Sequence, residues 1–509
     1  MSEREGIVSV DLGTTNVKVS LFTTDGSLVY EGSTGYPISK PRPGWFEHDP
    51  RDWFTAALSL LREAVREAER RGVELLGLVS TGQREGLVPA SRSGEPLRPC
   101  ITWMDRRSSR EVAEVASLLG RRELYVRTGL VAEPTYTLTK ILWLKRNEPS
   151  VYERSWKLLQ PKEYLNYLLT GRAVTDPSLA SRTMAYDVRR GEWIHELLEE
   201  LSVDFDKLPE VAPSDEVVGC LREELKRELG LSRDLPVVNG GGDRPCEALG
   251  AGVLTPERVG EGTGTTTNVA TTVGEPVLDE AMRVLLSRHV LRERWLLEAG
   301  TAPTGAALSW LIENCFRDLI EAEGREGAFK RVDVEVAARL GRRPNLITLP
   351  HFLGSRAPYW REGARGAVLG LTLHHDRYDL VRSLMEGMAF VVRDVVDAFK
   401  SLEVGVEGLV SYGGLAGSRA WALIKASVLG VPVRVLRRRQ PSASGAAILA
   451  GLGLGVYSSL SDVPRSFFEV EWECWPNEAL AEGYRKLYEA YRVLNEGVTE
   501  LIEEVGDRL

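Results

Sequence analysis

Short runs rich in apolar residues recur along the chain at residues 6–10 (GIVSV), 17–22 (VKVSLF), 75–79 (LLGLV) and 236–239 (PVVN). Runs of this length, bounded by Gly, Asp and Asn, predict buried strands. The Asp25-Gly26 pair marks a hairpin turn after the second run. After Asp49-Pro50 the period changes. The stretch RDWFTAALSLLREAVREAERRG carries apolar residues at helical spacing, with Asp49 as N-cap, Pro50 at the first helical position and Gly72 as the stop. This makes Glu47-His48-Asp49 a capping turn rather than a metal site, and His374-His375 the loop before a helix starting at Asp376. Further on, GLVSYGGLAGSRAWALIKASVLGVPV reads as strand, glycine turn, helix, strand. Alternating strands and helices of this kind predict an α/β protein.

One pattern occurs twice. Gly13-Thr14-Thr15-Asn16-Val17 follows the first strand, and Gly264-Thr265-Thr266-Thr267-Asn268-Val269 follows another about half a chain later. Two such hairpins predict a duplicated domain with a cleft between the halves, one loop from each half facing it. The length of 509 residues suits two or three domains. The expected division is residues 1–252 and 253–509.

Composition narrows the partners. The net charge is −9, which argues against a pervasive nucleic-acid face or docking on an anionic membrane. The five scattered cysteines form no CxxC pair, as expected of a reducing cytoplasm without a cysteine metal site. No apolar signal region opens the chain. Residues 440–461 are uncharged but full of Gly, Ala and Ser, which predicts a tightly packed buried helix rather than a membrane span. Of the 64 basic residues 52 are Arg, and there are nine Asn and only three Gln. So rare a residue type draws attention to Gln83 and Gln440.

Candidate chemistry sits at strand ends. A strand–glycine turn–strand bearing Asp11, Thr14 and Thr15 offers inward N–H groups and hydroxyls to phosphate, and a hard carboxylate oxygen to Mg²⁺. The strand 236–239 runs through three glycines into Asp243, which can accept a proton from a substrate hydroxyl or cap the following helix. STGQREG closes another strand, where ligands bind in open α/β sheets.

In order, DLGTTNVKV, PRPGWFEHDPRDW, GQREGLV, ITWMDRRS, PKEYLNYLLTGRAVTDPSLASRTMAYD, GGGDRPCEALGAG, EGTGTTTN, GSRAPYWREGARGAVLGLT and GGLAGSRAWALIKASVLGVPV with SASGAAILAG resemble the FGGY carbohydrate kinases. The resemblance runs from residue 6 to about 460. It implies two actin-like (ribonuclease-H-like) α/β domains with ATP and sugar meeting in the cleft. It implies a kinase that transfers the γ-phosphate of ATP to a hydroxyl of a polyol, ketose or related sugar.

The resemblance assigns roles residue by residue. Asp243 matches the general base, and Asp11, with Asp243, the Mg²⁺-linked carboxylates. Gly13, Thr14, Thr15 and Lys18 would face the phosphates from one half, and Gly262, Thr263 and Gly264 from the other; Lys18 could instead be a solvated strand lysine. Gly305 matches a nucleotide-contacting glycine, and Gly413, Gly414 and Ser418 would border adenine. Arg84, Glu85 and Trp103 match polyol-binding positions, and Asp105 sits where xylulose kinases also place an Asp.

Three departures count against glycerol as substrate. Thr135 stands in place of the family's tyrosine, with Tyr136 adjacent. Arg244 stands in place of the glutamine after the base, and Thr266 in place of an aromatic. Two lost walls predict a roomier pocket. Arg244 beside Asp243 should hold the base ionised and, with Arg84, make the pocket cationic; otherwise it forms a salt bridge pointing away. Alternatives are a sugar-acid or autoinducer-2-type kinase of the same family, or an actin/Hsp70-like ATPase. Many members of the family form homodimers, but no interface signature stands out in this chain.

Overall fold

The computed structural model describes residues 4–301, 304–342 and 345–505, so the charged start at residues 1–3 lies outside the described residues. The first hairpin forms where the pattern predicts: β1 (Arg4–Leu12) pairs antiparallel with β2 (Asn16–Thr23), and β2 with β3 (Leu28–Gly35). Helix α1 (Pro50–Arg71) begins at Asp49, whose side chain accepts the Arg51 N–H, and ends at Gly72 with a left-handed φ of 63°. Next come β4 (Val73–Gly82), α2 (Thr137–Asn147), α3 (Pro161–Thr170), β5 (Val217–Cys220), β6 (Pro236–Gly242) and α4 (Asp243–Gly250). The sheet order is β5-β6-β4-β1-β2-β3.

The second half supplies β7 (Arg258–Thr263), β8 (Thr267–Val273), β9 (Leu285–Arg288), β10 (Trp295–Gly300), α5 (Thr304–Cys315), α6 (Arg377–Ser401), β11 (Gly408–Tyr412), α7 (Arg419–Leu429), β12 (Val433–Leu436), α8 (Ser442–Gly453), β13 (Val470–Cys474) and α9 (Glu478–Val505). Its sheet order is β9-β10-β8-β7-β11-β12-β13. Each sheet is therefore built alike. A hairpin (β1–β2, β7–β8) lies beside a third antiparallel strand (β3, β10), and on its other side are two parallel strands and an antiparallel edge (β4, β6, β5; β11, β12, β13). The second half adds only β9. The short repeat in the sequence is thus the trace of a duplicated actin-like sheet.

Helix α1 buries Trp53, Leu60, Leu61 and Ala64 on one face of the first sheet. Burying each large apolar side chain contributes about 1.5–3 kcal/mol. The other face is covered by α4 and, from the far end of the chain, by α8, whose Ala443, Ala446, Ile448 and Leu449 pack with Ile7, Val79 and Val238. A division at 252/253 assigns α8 to the second half, yet this helix lies under the first sheet. Glycines permit the α4–α8 crossing. A Cβ on Gly445 would sit 1.9 Å from the Cys246 carbonyl oxygen, and one on Gly250 2.1 Å from that of Pro441. The uncharged Gly/Ala/Ser stretch is thus a buried packing helix. No helix among the described residues is long and apolar enough to cross a membrane.

His48 is buried edge-on between Tyr36 and Trp53. Asp376 caps α6 by accepting the Tyr378 and Asp379 N–H groups.

Candidate active site

Strand register gathers the candidate residues at one edge. Asp11 lies opposite Thr81 in the parallel β1–β4 pair, and Gly241 and Gly242 lie opposite Thr81 and Gly82 in the β4–β6 pair. The residues that follow, Gln83, Arg84 and Glu85 from β4 and Asp243 from β6, therefore emerge beside Asp11 at the carboxyl end of the sheet.

The first glycine loop is held from three sides. The Gly13 carbonyl accepts the Gln83 Nε2 amide at 3.2 Å and the Tyr36 hydroxyl. Thr14 Oγ1 accepts the Trp103 indole N–H at 3.0 Å. Thr15 is exposed. Lys18 is no solvated lysine: its Nζ donates to Gln440 Oε1 across 422 residues of chain and lies 4.0 Å from Glu31. Gln160, the third glutamine, accepts the Glu85 N–H at 2.7 Å. Each of the three glutamines thus bonds a candidate residue: Gln83 bonds Gly13, Gln440 bonds Lys18 and Gln160 bonds Glu85.

The second loop is built by close approach. A Cβ on Gly305 would lie 2.0 Å from the Gly264 carbonyl oxygen, and Gly413, at φ +91°, faces the Thr263 carbonyl with room for none. Three chain segments therefore converge at Thr263-Gly264. Gly262 lies opposite Tyr412 in the β7–β11 pair. Beneath the loop, fully buried Lys425 donates to Glu261 at 2.5 Å, Ser411 does so at 2.7 Å, and Thr263 donates to the same carboxylate. Ser418 caps α7 through the Trp421 N–H at 2.9 Å and bonds Asp333, so its hydroxyl is already engaged. Gly414 is exposed beside it.

Between the loops lies a cavity of about 110 Å³ that Thr14, Gln83, Arg84, Glu85, Trp103, Thr135, Asp243, Arg244 and Thr266 help to line. Asp105, expected there, is elsewhere: it is fully buried, grips Arg107 at 2.8 Å through both oxygens and accepts the Phe46 N–H at 2.7 Å. It anchors the WMDRR turn that carries Trp103. Neither is the cavity an uncompensated cationic site. Arg84 binds Glu298 at 2.9 and 2.8 Å, Arg182 binds Glu85 at 2.6 Å and Glu298 at 3.3 Å, Arg356 binds Glu133 at 3.0 Å, and Arg244 binds Glu247 at 2.9 Å. Arg244 lines the cavity while it bonds Glu247, so its salt bridge does not turn it away from the cavity. Glu85 sits at φ +66°, a costly conformation for a non-glycine residue. Its backbone is fixed by Gln160 and by buried Lys140, which donates to its carbonyl at 3.0 Å.

Burial pushes the Asp11 carboxyl up to about 7, helped by Asp243 and Glu247. Burial also pushes Asp243 up, and Arg244 and Arg84 only oppose this. Arg244, expected to hold the base ionised, acts in that direction, but desolvation outweighs it. The N-cap of α4 is Gly242 and Asp243 is its first residue, so Asp243 does not cap the helix; its Oδ1 accepts the Arg244 N–H at 2.8 Å. Among the described residues no three His, Cys, Asp or Glu side chains form a closed metal-ligand set. Mutually repelling carboxylates of hard oxygen do fit a cation that keeps water and phosphate oxygens as its other ligands.

Residues 6–250 match the N-terminal domain of the FGGY family of carbohydrate kinases, and residues 261–454 match its C-terminal domain. The chain belongs to the FGGY family of carbohydrate kinases. It is 28% identical to a xylulose kinase of Staphylococcus xylosus over 491 residues, covering 96% of this chain and 99% of that one. It is 30% identical to a glycerol kinase of Thermococcus onnurineus over 498 residues, covering 96% of each. A gluconate kinase structure from Lactobacillus acidophilus superposes with a TM-score of 0.89 at 25% identity, covering 97% of this chain and 98% of that one. This FGGY kinase is thus an ATP-dependent carbohydrate kinase of the xylulose/glycerol type, which phosphorylates an alcohol group. Arg182, Arg356 and Glu247 lie inside the motifs PKEYLNYLLTGRAVTDPSLASRTMAYD, GSRAPYWREGARGAVLGLT and GGGDRPCEALGAG, whereas Glu133 and Glu298 lie in none of the motifs and carry no signature of their own.

Proposed function

We propose that this kinase phosphorylates a neutral ketose or polyol larger than glycerol, of xylulose size. The pairing of Arg84, Arg182, Arg244 and Arg356 with carboxylates carries this reading. A site of balanced charge offers donors and acceptors in alternation, which suits hydroxyls. An anionic sugar acid would have to displace one of these carboxylates. Thr135 and Thr266, small where bulky walls would serve glycerol, leave room for the longer substrate.

In this reading Trp103 supplies an apolar wall for C–H faces, and Arg84 and Glu85 bind adjacent hydroxyls. Asp243 takes the proton from the hydroxyl oxygen as that oxygen attacks the γ-phosphorus of ATP. The bond to the β,γ-bridging oxygen breaks as the new P–O bond forms, so ADP leaves. Gly13, Thr14, Thr15 and Lys18 hold the phosphates from one half; Gly262, Thr263, Gly264 and Gly305 hold them from the other. Gly413 and Gly414 border the base, with Ser418 setting the start of α7 beneath it. Asp11 and Asp243 would hold Mg²⁺, which neutralises phosphate charge when bound. Five unpaired thiols, one of them exposed on Cys220, suit a reducing cytoplasm.

The test is ADP release with ATP and Mg²⁺ over a panel of glycerol, longer polyols, ketoses and aldonates. The expected result is the highest kcat/KM on a neutral ketose or polyol longer than glycerol. Preference for an aldonate would assign Arg244 to a substrate carboxylate and overturn the neutral-substrate reading. Turnover that no sugar stimulates would contradict all of it.

A further inference from the structure

The Arg84–Glu298 pair joins the two halves. Arg84 follows β4 of the first sheet, and Glu298 lies on β10 of the second, 214 residues on. Both Nη groups donate to the two carboxylate oxygens, at 2.9 and 2.8 Å, in the bidentate fork geometry that fixes a guanidinium in one plane. Both side chains are buried, at 7% and 2% exposure. Glu298 is itself held: Ser287 Oγ donates to Oε1 at 2.7 Å and Arg182 Nη1 at 3.3 Å. Arg182 then reaches Glu85 at 2.6 Å with its Nε.

This geometry decides which edge of Arg84 meets the substrate. With one N–H of each Nη committed to Glu298, the edge of the guanidinium turned to the other carboxylates is the one that carries Nε–H. It faces Asp243 Oδ1 at 3.6 Å and Glu85 Oε1 at 3.7 Å, both beyond hydrogen-bond reach. A donor poised between the candidate base and a hydroxyl-accepting carboxylate is where a substrate oxygen would sit.

We infer that Glu298 is a positioning residue for the sugar. It holds the Arg84 guanidinium from the opposite half, so that Nε–H rather than a terminal Nη points at the reacting hydroxyl. Without it, the freed Nη groups can swing onto Asp243, forming a direct ion pair that blocks the hydroxyl. Because the grip comes from the second half, the sugar site is complete only while the halves keep this spacing. Glu298 acts through Arg84, so it should govern sugar affinity and leave nucleotide affinity alone. The inference rests on Arg84 facing the sugar, as proposed above.

The test uses the full chain with D-xylulose and glycerol as probes. Glu298→Gln, which keeps size but removes charge, is expected to raise the KM of the better probe about tenfold, as loss of a buried charged hydrogen bond does. The ATP KM should stay within about twofold, and Glu298→Asp should recover part of the loss. In an Arg84→Ala background, adding Glu298→Gln should change kcat/KM by less than about twofold, the non-additivity of residues acting as a unit. ADP binding measured calorimetrically reports whether each variant is folded. If Glu298→Gln fails to bind ADP, Ser287→Ala carries the test, since it loosens Glu298 without touching Arg84. Its sugar KM should rise about threefold, again non-additively with Arg84→Ala. A folded Glu298→Gln enzyme with unchanged sugar KM, or effects that multiply fully in the double variant, would overturn the inference. If Arg84→Ala alone leaves the sugar KM unchanged, the assignment of Arg84 to the sugar fails first.

Discussion

Trp103 donates its indole N–H to Thr14 Oγ1 at 3.0 Å, so the wall of the cavity proposed for the sugar is tied to the glycine loop proposed for the phosphates. Trp103→Phe keeps an apolar face and removes this bond. A hydrogen bond of this kind contributes about 1 kcal/mol, or about fivefold in an equilibrium. Initial-rate kinetics should therefore show the KM values for ATP and sugar rising together. A change in the sugar KM alone would mean that the bond does not couple the two sites.

Thr135 and Thr266 line the cavity with small side chains. Thr266→Phe should shrink it and shift the kcat/KM ratio of glycerol to the longer ketose towards glycerol by about tenfold, the scale of one or two methylenes in a pocket. The same two-substrate assay on Thr135→Tyr should move the ratio the same way. A fall for both substrates in equal measure would assign these positions to folding rather than selectivity.

Glu163 is buried in α3. It accepts the Gln160 N–H at 2.7 Å, while Gln160 Oε1 accepts that of Glu85. Burial raises its carboxyl from 4.5 to about 7. Between those values the native state holds the proton that the unfolded chain releases, so this group costs stability as pH rises through the window. Glu163→Gln should therefore melt nearer to, or above, wild type at pH 8 than at pH 4.5. A Tm difference independent of pH, followed by calorimetry, would contradict the shift.

The α4–α8 crossing depends on Gly445, where a Cβ would meet the Cys246 carbonyl oxygen at 1.9 Å. Gly445→Ala should cost about 1–3 kcal/mol through overpacking, read as a lower denaturant midpoint with an unchanged m-value. Full stability would mean that the helices can part at no cost.

Local pattern carried the strands, the capped helix Pro50–Arg71 and the two glycine-loop hairpins, because each is decided by neighbours within a few residues. The duplicated strand order was legible from one short repeat because both hairpins seed the same pairing. The charge balance of the site was not. Glu298 lies 214 residues from Arg84, and Glu133 lies 223 from Arg356. No periodicity announces such pairs, so Arg84 reads as an unpaired charge; Arg244 has its partner Glu247 only three residues on, where spacing does not say whether the arginine also faces a cavity. Asp105 misled for a related reason: its partner is Arg107, two residues on, and spacing alone does not say whether a carboxylate faces a ligand or its neighbour. Rarity of residue type drew attention to Gln83 and Gln440 but missed Gln160, whose role depends on the left-handed turn at Glu85.

The most direct measurement is the turnover of Asp243→Asn at saturating ATP and sugar, alongside ADP binding. Removing a general base costs about 10²–10⁴ in rate, while ADP binding is read without Mg²⁺, so that loss of a metal ligand at Asp243 does not enter it. The account predicts kcat at or below about one hundredth of wild type, with ADP affinity within about twofold. Near-wild-type turnover in a variant that binds ADP normally would contradict it.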